Sequence, residues 1–228
     1  MKKGIIFDMD GTLWDSAEGV AGSWTEVVKE EYPELPEITT EDIQSVMGKT
    51  MDVIARILFP TLTVDEQLEL LDKCCIREND YLAEHGGVLY PEVEETLAKL
   101  KENYNLYIVS NCQSGYIEAF LEYYDFEKYF EDIECYGNNE LSKGENIKLI
   151  VERNNLDKAV YVGDIQGDYD ATMEAGLPFI HASYGFGDIA ESVITIEKFS
   201  DLPQVVPQVL SVAKTAGPHS HKALTRHK

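Results

Sequence analysis

The second half of the chain alternates between short apolar runs and segments with helical periodicity, and this alternation constrains the fold more than any other feature. From Tyr90 onward, helices and strands are predicted in turn, and the strand segments are almost entirely apolar. A strand that is apolar on both faces is typical of a parallel sheet covered by helices on both sides. The sequence therefore predicts an α/β fold built on a doubly wound parallel sheet.

Periodicity and the positions of proline and glycine set the predicted boundaries of these elements. Strands are predicted at 4–7, 106–109, 133–136, 159–162, 178–181 and 193–196. Helices of the second half are predicted at 91–102, 116–124, 145–153, 168–175 and 202–212.

A different pattern occupies 15–85, where four helices are predicted at about 15–31, 41–47, 50–59 and 63–84, without a convincing strand. The predicted organisation is a Rossmann-like core of residues 1–14 and 86–212, interrupted by an inserted α-helical cap of residues 15–85. The segment 213–228 contains four basic residues and three histidines but no acidic residue, and it is predicted to be a disordered tail.

The composition argues against several classes of partner. The formal net charge is −23 over 228 residues. A surface of this sign repels phosphate backbones and anionic lipids, so neither nucleic acid nor a membrane surface is expected as a partner. The sequence shows no signal-peptide pattern and no apolar run of membrane-spanning length. A cytoplasmic protein is therefore expected, with a monomer as the default state and a dimer as the alternative.

Two carboxylates lie two positions apart where the first predicted strand meets its loop. Asp8 and Asp10 follow the apolar run 4–7, and residues i and i+2 of a strand point to the same face. Two acids this close repel each other unless a cation or a transferred proton relieves the repulsion. The pair therefore indicates a metal site, a nucleophile with its acid/base partner, or both.

Two further predicted strands also end in polar residues. The run 107–109 ends in Ser110 and Asn111, and the run 160–162 is followed by Gly163 and Asp164. Because the carboxyl ends of parallel strands meet at one edge of a sheet, ligands bind in the crevice there. The side chains expected to gather at this edge are Asp8, Asp10, Ser110, Asn111, Asp164 and Asp168.

These motifs, in this order, resemble those of the haloacid dehalogenase superfamily, in the branch similar to phosphoglycolate phosphatase and β-phosphoglucomutase. The matching blocks are Asp8-Met9-Asp10-Gly11-Thr12, Ser110-Asn111, Lys143, and Gly163-Asp164 with Asp168. The resemblance covers about residues 1–212 and makes the helical insertion similar to the mobile cap of that family. It implies a Mg²⁺-dependent phosphatase that hydrolyses a small phosphorylated metabolite, phosphoglycolate- or sugar-phosphate-like, through an aspartyl-phosphate intermediate.

The resemblance also implies a role for each site residue. Asp8 would be the nucleophile, and Asp10 the general acid for the leaving oxygen and then the base for water. Mg²⁺ would be held by Asp8, the backbone carbonyl of Asp10, Asp164 and, directly or through water, Asp168. The phosphoryl oxygens would be bound by Thr12, Ser110, Asn111 and Lys143.

Two lysine assignments are less directly fixed by the pattern. Lys143 is followed by Gly144, whereas the lysine of many relatives is followed by proline, so Lys148 is an alternative at this position. Lys49, which follows Gly48 in the cap, is the candidate for a substrate contact from the cap.

Three other functions on the same fold remain as alternatives. The first is a β-phosphoglucomutase-like phosphomutase, which would share the core residues but need a cap that excludes water. The second is a phosphonate-cleaving enzyme, which would need a cap lysine able to form a Schiff base. The third is a catalytically silent binding protein, which the presence of both Asp8 and Asp10 disfavours. The second acid, Asp10, also disfavours a dehalogenase.

Overall fold

The computed structural model describes residues 1–213, so the predicted tail lies outside the described residues except for residue 213. The strands are β1 (Lys3–Phe7), β2 (Trp14–Asp15), β3 (Val88–Leu89), β4 (Asn105–Ser110), β5 (Phe130–Cys135), β6 (Lys158–Gly163), β7 (Phe179–Ala182) and β8 (Ile194–Ile196). The helices are α1 (Ala17–Glu31), α2 (Thr40–Val46), α3 (Met51–Leu58), α4 (Val64–His85), α5 (Val93–Lys101), α6 (Tyr116–Tyr124), α7 (Tyr136–Asn139), α8 (Lys143–Arg153), α9 (Gln166–Ala175) and α10 (Leu202–Val212), with a 3₁₀ turn at Phe199–Asp201.

Six of the strands form one parallel sheet in the order β5-β4-β1-β6-β7-β8. The strand β1 is central, paired with β4 on one side and β6 on the other. The order reverses beside β1, because the chain runs outward through β4 and β5 and then crosses back to β6. Such a reversal opens a crevice at the carboxyl ends of the central strands. The predicted α/β, doubly wound sheet is confirmed.

The two faces of the sheet bury two separate apolar clusters, as strand periodicity requires. Ile5 and Phe7 of β1 pack into the cluster that includes side chains of α5, α6 and α10, whereas Ile6 packs with side chains of α8. All three side chains are fully buried. Burial of an apolar side chain of this size contributes about 1.5–3 kcal/mol, so β1 is a well-anchored support for the loop that follows it.

Helices α1 to α4 form a helical unit inserted between β2 and β3. The two short strands pair with each other in antiparallel fashion, with Trp14 opposite Leu89 and Asp15 opposite Val88. This ribbon was not predicted, since two residues are too few to show a strand period. The Trp14 side chain is fully buried and lies edge-on against Phe120. The proposed division into a core of 1–14 and 86–212 and a cap of 15–85 remains a prediction.

Local backbone chemistry explains where helix boundaries differ from expectation. The helix expected from Pro91 begins at Val93 instead, because Glu92 at its N-terminus has a left-handed conformation with φ of 61°. The helix expected from Glu145 begins two residues earlier, at Lys143, because Ser142 and Glu145 form a reciprocal capping box. This earlier start places Lys143 in the first turn of α8. Among residues 1–213, no helix is both long enough and apolar enough to cross a lipid bilayer.

Candidate active site

The carboxyl ends of β1, β4 and β6 bring the predicted polar residues to one edge of the sheet. Phe7 of β1 lies opposite Ile108 of β4 and Val162 of β6. The next residue, Asp8, continues this pairing, since its backbone N–H donates to the carbonyl of Val162 at 2.9 Å. Ser110 is the last residue of β4. The central strand therefore carries Asp8 directly into the crevice between its two neighbours.

Three buried carboxylates gather in this crevice. Asp8, Asp164 and Asp168 each offer an oxygen, and these oxygens lie within 4.8 Å of one another. Oδ1 of Asp164 is buried and has no hydrogen-bond partner. Buried polar atoms are normally satisfied, and carboxylate oxygens are the donors that Mg²⁺ prefers in proteins. The residues present therefore fit a hard divalent cation.

The electrostatics of the cluster agree with this fit. Burial, reinforced by the charge of Asp168, raises the pKa of Asp8 to about 7, although Lys143 acts in the opposite direction. Burial, together with the charges of Asp168 and Asp8, raises the pKa of Asp164 to about 9. A cation held among these groups would favour their charged forms and lower both pKa values.

Two glycines make room for Asp164. Gly11 has a φ of 82°, and a Cβ at this position would lie 2.0 Å from Oδ2 of Asp164. A Cβ on Gly185 would lie 2.4 Å from Cβ of the same aspartate. Oδ2 itself accepts a 2.7 Å hydrogen bond from the backbone N–H of Phe186. Asp164 is thus fixed by close backbone contacts that only glycine permits at Gly11.

Lys143 is the cation of the cluster. Its Nζ lies 2.8 Å from Oδ1 of Asp8 and 2.6 Å from Oδ1 of Asp168, and its side chain is 4% exposed. Burial alone would lower the pKa of Lys143, but the charges of Asp168 and Asp8 raise it well above its ordinary value. The alternative, Lys148, is wrong, because its Nζ forms a surface ion pair with Glu174 at 2.9 Å.

Asp168 holds the other members of the cluster in place. Its Oδ2 accepts hydrogen bonds from the backbone N–H groups of Asp164 and Ile165 at 3.0 and 3.2 Å. Its Oδ1 is the oxygen that accepts from Lys143. Both oxygens of Asp168 are therefore occupied by protein donors, which suits a positioning role more than direct metal ligation.

Asp10 has a separate environment. Its Oδ1 accepts hydrogen bonds from the hydroxyls of Ser16 at 2.7 Å and Tyr116 at 2.6 Å. Burial raises the pKa of Asp10 to about 6, and the bonds from Tyr116 and Ser16 lower it in part. Burial and the charge of Asp10 raise the pKa of Tyr116 well above its ordinary value, so its hydroxyl remains a donor.

Sequence reasoning missed these two partners of Asp10. Ser16 directly precedes α1, but its side chain makes no capping bond, and Asp15 Oδ1 accepts from the Ala17 N–H at 2.9 Å instead. Tyr116 lies at the start of α6, close after Ser110 and Asn111 in the sequence. This short separation in sequence from Ser110 and Asn111 was the signal that Tyr116 lies near the site.

A small cavity lies between the sheet edge and helices α1 to α4. Its free volume is about 50 Å³, and Asp8, Asp10, Ser110 and Asn111 are among the residues that line it. Asn111 also donates from Nδ2 to the backbone carbonyl of Gly48 at 2.9 Å, which connects the core with the helical unit.

The remaining predicted residues have different positions. Thr12 is fully buried, its hydroxyl has no hydrogen-bond partner, and it does not line the cavity. Lys49 does line the cavity, but it is exposed and its Nζ donates to the carbonyl of Ser45 at 3.1 Å. The phosphonate-cleaving alternative needs a cap lysine, and the other two lysines of 15–85 are Lys29 and Lys73. They pair at the surface with Glu37 and Glu31, respectively, so they offer no support for Schiff-base chemistry.

Glu78 of α4 is a further cavity residue that sequence reasoning missed. It is 4% exposed, and its Oε2 accepts a hydrogen bond from Trp24 Nε1 at 2.6 Å. A signal was present, since the apolar residues Leu71, Cys74 and Leu82 place Glu78 on the buried face of α4 by helical spacing.

Comparison with known proteins agrees with this geometry. The family model described as haloacid dehalogenase-like hydrolase matches residues 5–182. The chain is 28% identical to the phosphoglycolate phosphatase of Salmonella typhimurium strain LT2, over 88% of this chain and 90% of that protein.

Solved structures show the same fold. A predicted phosphoglycolate phosphatase from Haemophilus somnus superposes with a TM-score of 0.77 at 23% identity, covering 90% of this chain and 98% of that one. A hydrolase of the haloacid dehalogenase-like family from Streptococcus pneumoniae superposes with a TM-score of 0.76 at 21% identity, covering 90% and 98%. The chain therefore belongs to the haloacid dehalogenase-like hydrolase family, in its phosphoglycolate-phosphatase-like branch, and is a phosphoric monoester hydrolase.

Proposed function

We propose that this enzyme is a Mg²⁺-dependent phosphatase that transfers the phosphoryl group of a small phosphorylated metabolite to Asp8 and then to water. The observation that carries the proposal is the position of Asp8, which lies 2.8 Å from the Lys143 ammonium and within 4.8 Å of the carboxylates of Asp164 and Asp168. The Asp8 carboxylate therefore has the Lys143 ammonium beside it and, among the three carboxylates, a site for a metal cation.

Asp8 and Asp164, with the backbone carbonyl of Asp10, would hold the metal ion. When bound, Mg²⁺ supplies positive charge that offsets the charge of the phosphoryl oxygens and of the attacking carboxylate. Asp168 keeps both oxygens on protein donors and so orients Lys143 and the loop at Asp164.

Asp8 and Asp10 divide the reaction between them. An oxygen of Asp8 forms a bond to phosphorus while the bond from phosphorus to the ester oxygen breaks, and Asp10 gives its proton to that leaving oxygen. In the second step Asp10 takes a proton from water. The water oxygen then bonds to phosphorus, and the bond to Asp8 breaks to release orthophosphate.

The environment of Asp10 suits this exchange of a proton. A pKa of about 6 lies close to neutrality, where both protonation states are accessible. The hydroxyls of Ser16 and Tyr116 both donate to Oδ1. These bonds fix the carboxyl group and leave the second oxygen, Oδ2, to carry the exchanged proton.

The phosphoryl oxygens would be bound chiefly by Lys143 and Ser110. Lys143 is already held in place by two carboxylates, and Ser110 lines the cavity beside Asp8. Asn111 could join them by releasing the carbonyl of Gly48. Thr12 is fully buried and its hydroxyl bonds no residue of the site, unlike the Lys143 ammonium, which bonds Asp8.

The similarity to phosphoglycolate phosphatases supports a small phosphorylated metabolite, phosphoglycolate- or sugar-phosphate-like, as the substrate. A phosphomutase reaction would use the same core residues. Release of orthophosphate, rather than formation of an isomeric phosphate ester, distinguishes hydrolysis from that alternative.

The direct test is hydrolysis of p-nitrophenyl phosphate by protein treated with a chelator and then supplied with Mg²⁺. We expect activity to disappear on chelation and to return with Mg²⁺. Binding of Mg²⁺ measured by calorimetry gives a readout that does not depend on turnover. A folded protein that binds no Mg²⁺ and hydrolyses neither this ester nor a panel of phosphorylated metabolites would contradict the proposal.

A further inference from the structure

The wall of the cavity opposite the catalytic carboxylates is largely apolar. Helices α1 to α3 and the segment after α2 contribute most of this wall, namely Val20, Trp24, Ile43, Val46, Met47, Met51 and Ile54. Lys49 also reaches the lining, but it is exposed and bonded to Ser45. The enclosed part of this wall thus offers the substrate apolar contact and no buried basic side chain.

Glu78 is the charged exception in this wall. It is 4% exposed and lines the cavity together with Asp10. A carboxylate has about four acceptor sites, and the indole of Trp24 occupies one at 2.6 Å. Among residues 1–213, no lysine, arginine or histidine forms an ion pair with Glu78.

A buried carboxyl group without a cationic partner is unfavourable in its charged form. Burial, together with the negative charge of Asp10, raises the pKa of Glu78 to about 8, although the hydrogen bond from Trp24 acts in the opposite direction. A positively charged group entering the cavity would supply the missing partner. A second negative group on the substrate would meet Glu78 and Asp10 instead.

We propose that Glu78 selects a substrate whose alcohol part is a short alkyl chain bearing a primary ammonium group, and that it disfavours a carboxylate such as that of phosphoglycolate. This inference rests on the proposed phosphatase function and narrows its substrate class. The apolar wall contacts the methylene groups. The positive charge of the ammonium favours loss of the Glu78 proton to solvent, and the resulting carboxylate accepts from the ammonium. Asp8 and Glu78 line the same small cavity, so a short chain is enough to join the phosphoryl group to the ammonium.

The test compares kcat/KM for 2-aminoethyl phosphate, 3-aminopropyl phosphate, 2-hydroxyethyl phosphate and phosphoglycolate, each divided by kcat/KM for p-nitrophenyl phosphate. We expect the better aminoalkyl ester to exceed both the hydroxyl ester and phosphoglycolate by at least about tenfold, as one desolvated ion pair allows. This comparison needs only the unmodified protein.

The substitution Glu78→Gln isolates the carboxylate, because the glutamine carbonyl can still accept from Trp24. We expect it to lower the ratio of aminoalkyl ester to phosphoglycolate by at least about tenfold. The matched control is Glu84→Gln, which removes an exposed charge from the same helix and should leave the ratio unchanged.

Preference for phosphoglycolate or for the hydroxyl ester would overturn the inference while leaving the phosphatase function in place. A ratio that Glu78→Gln does not change would also overturn it. Absence of hydrolysis of every ester, p-nitrophenyl phosphate included, would instead contradict the proposed function.

Discussion

The hydroxyl of Tyr116 donates a 2.6 Å hydrogen bond to Oδ1 of Asp10, although the two residues are 106 positions apart in the sequence. The same hydroxyl lies 2.8 Å from that of Ser16, which also bonds Asp10. Asp10 is therefore held from both sides, by the first residues of the helical insertion and by the helix after β4. This arrangement controls both the direction and the acidity of the proposed general acid.

Replacing Tyr116 by phenylalanine should shift the pH dependence of turnover. The tyrosine donates to the charged form of Asp10 and so lowers its pKa, which means that the substitution raises this pKa further. Because the acid is active when protonated, the alkaline limb of kcat/KM should move to higher pH. We also expect kcat to fall about tenfold through lost orientation. Tyr123→Phe, on the exposed side of α6, is the control; an identical profile in both variants would rule out this role for Tyr116.

Lys143→Ala should lower turnover at least about tenfold, because the charge beside Asp8 and the phosphoryl oxygens is lost. In the absence of metal it should also lower the free energy of unfolding by up to about 3–5 kcal/mol, since two buried carboxylates lose their partner. Steady-state kinetics and urea unfolding measure the two effects. Lys148→Ala removes an exposed pair worth less than about 1 kcal/mol and should change neither. Near-normal turnover of the Lys143 variant would remove Lys143 from the mechanism.

Gly11→Ala should damage the metal site through Asp164. The new Cβ would lie 2.0 Å from Oδ2, and the left-handed backbone at φ of 82° disfavours alanine. We expect Mg²⁺ affinity to fall about 10–100-fold by calorimetry, as when the support of a ligand is lost. Gly22→Ala is the control, since it has open space in α1 and should raise stability by about 1 kcal/mol. Unchanged Mg²⁺ affinity in the Gly11 variant would argue against Asp164 as a ligand.

Glu78 should make stability depend on pH. Burial raises its pKa in the folded protein to about 8 from an ordinary 4.5. The protonated Glu78 therefore stabilises the folded protein. This stabilisation is fully present below pH 4.5 and is lost as pH rises through about 8, where the free energy of unfolding falls by at most about 1.4 kcal/mol per pH unit. Asp10 and Tyr116 face it from the core, and Cys74 and Cys75 flank it on α4.

The Glu78→Gln variant has no carboxyl group that titrates at this position. Its free energy of unfolding, relative to that of the unmodified protein, should therefore increase from about pH 5 to about pH 9. Urea unfolding of both proteins in chelator, followed by tryptophan fluorescence, measures the difference at each pH. Other carboxyl groups with raised pKa values, such as those of Asp8 and Asp164, occur in both proteins, so their effects on stability largely cancel in the difference. A difference that stays constant with pH would show that Glu78 titrates normally.

The sheet and the acidic cluster could be predicted because both follow from strand geometry. Apolar runs fix the parallel strands, and the shared direction of those strands brings Asp8, Ser110 and Asp164 to one edge. Lys143 was predicted only through the family resemblance. The structure explains its position: the capping box of Ser142 and Glu145 starts α8 two residues earlier than expected and places Lys143 in the first turn of that helix.

The partners of the catalytic acid and the wall of the cavity could not be predicted in the same way. Ser16 and Tyr116 are 100 positions apart in the sequence, and their hydroxyls meet at Asp10 only in the folded chain. Glu78 belongs to that insertion, and periodicity indicates that it is buried but not which cavity it faces. Such contacts depend on how two units pack, which local pattern does not encode.

The most direct measurement is orthophosphate release by the Asp8→Asn variant with Mg²⁺ present. The amide oxygen and nitrogen nearly match the carboxylate in size but do not attack phosphorus, so we expect kcat to fall at least about 10³-fold while the fold is retained. Chemical trapping of phosphate on Asp8 should succeed in the unmodified protein and fail in the variant. Release of orthophosphate by the variant at the unmodified rate would contradict covalent catalysis by Asp8.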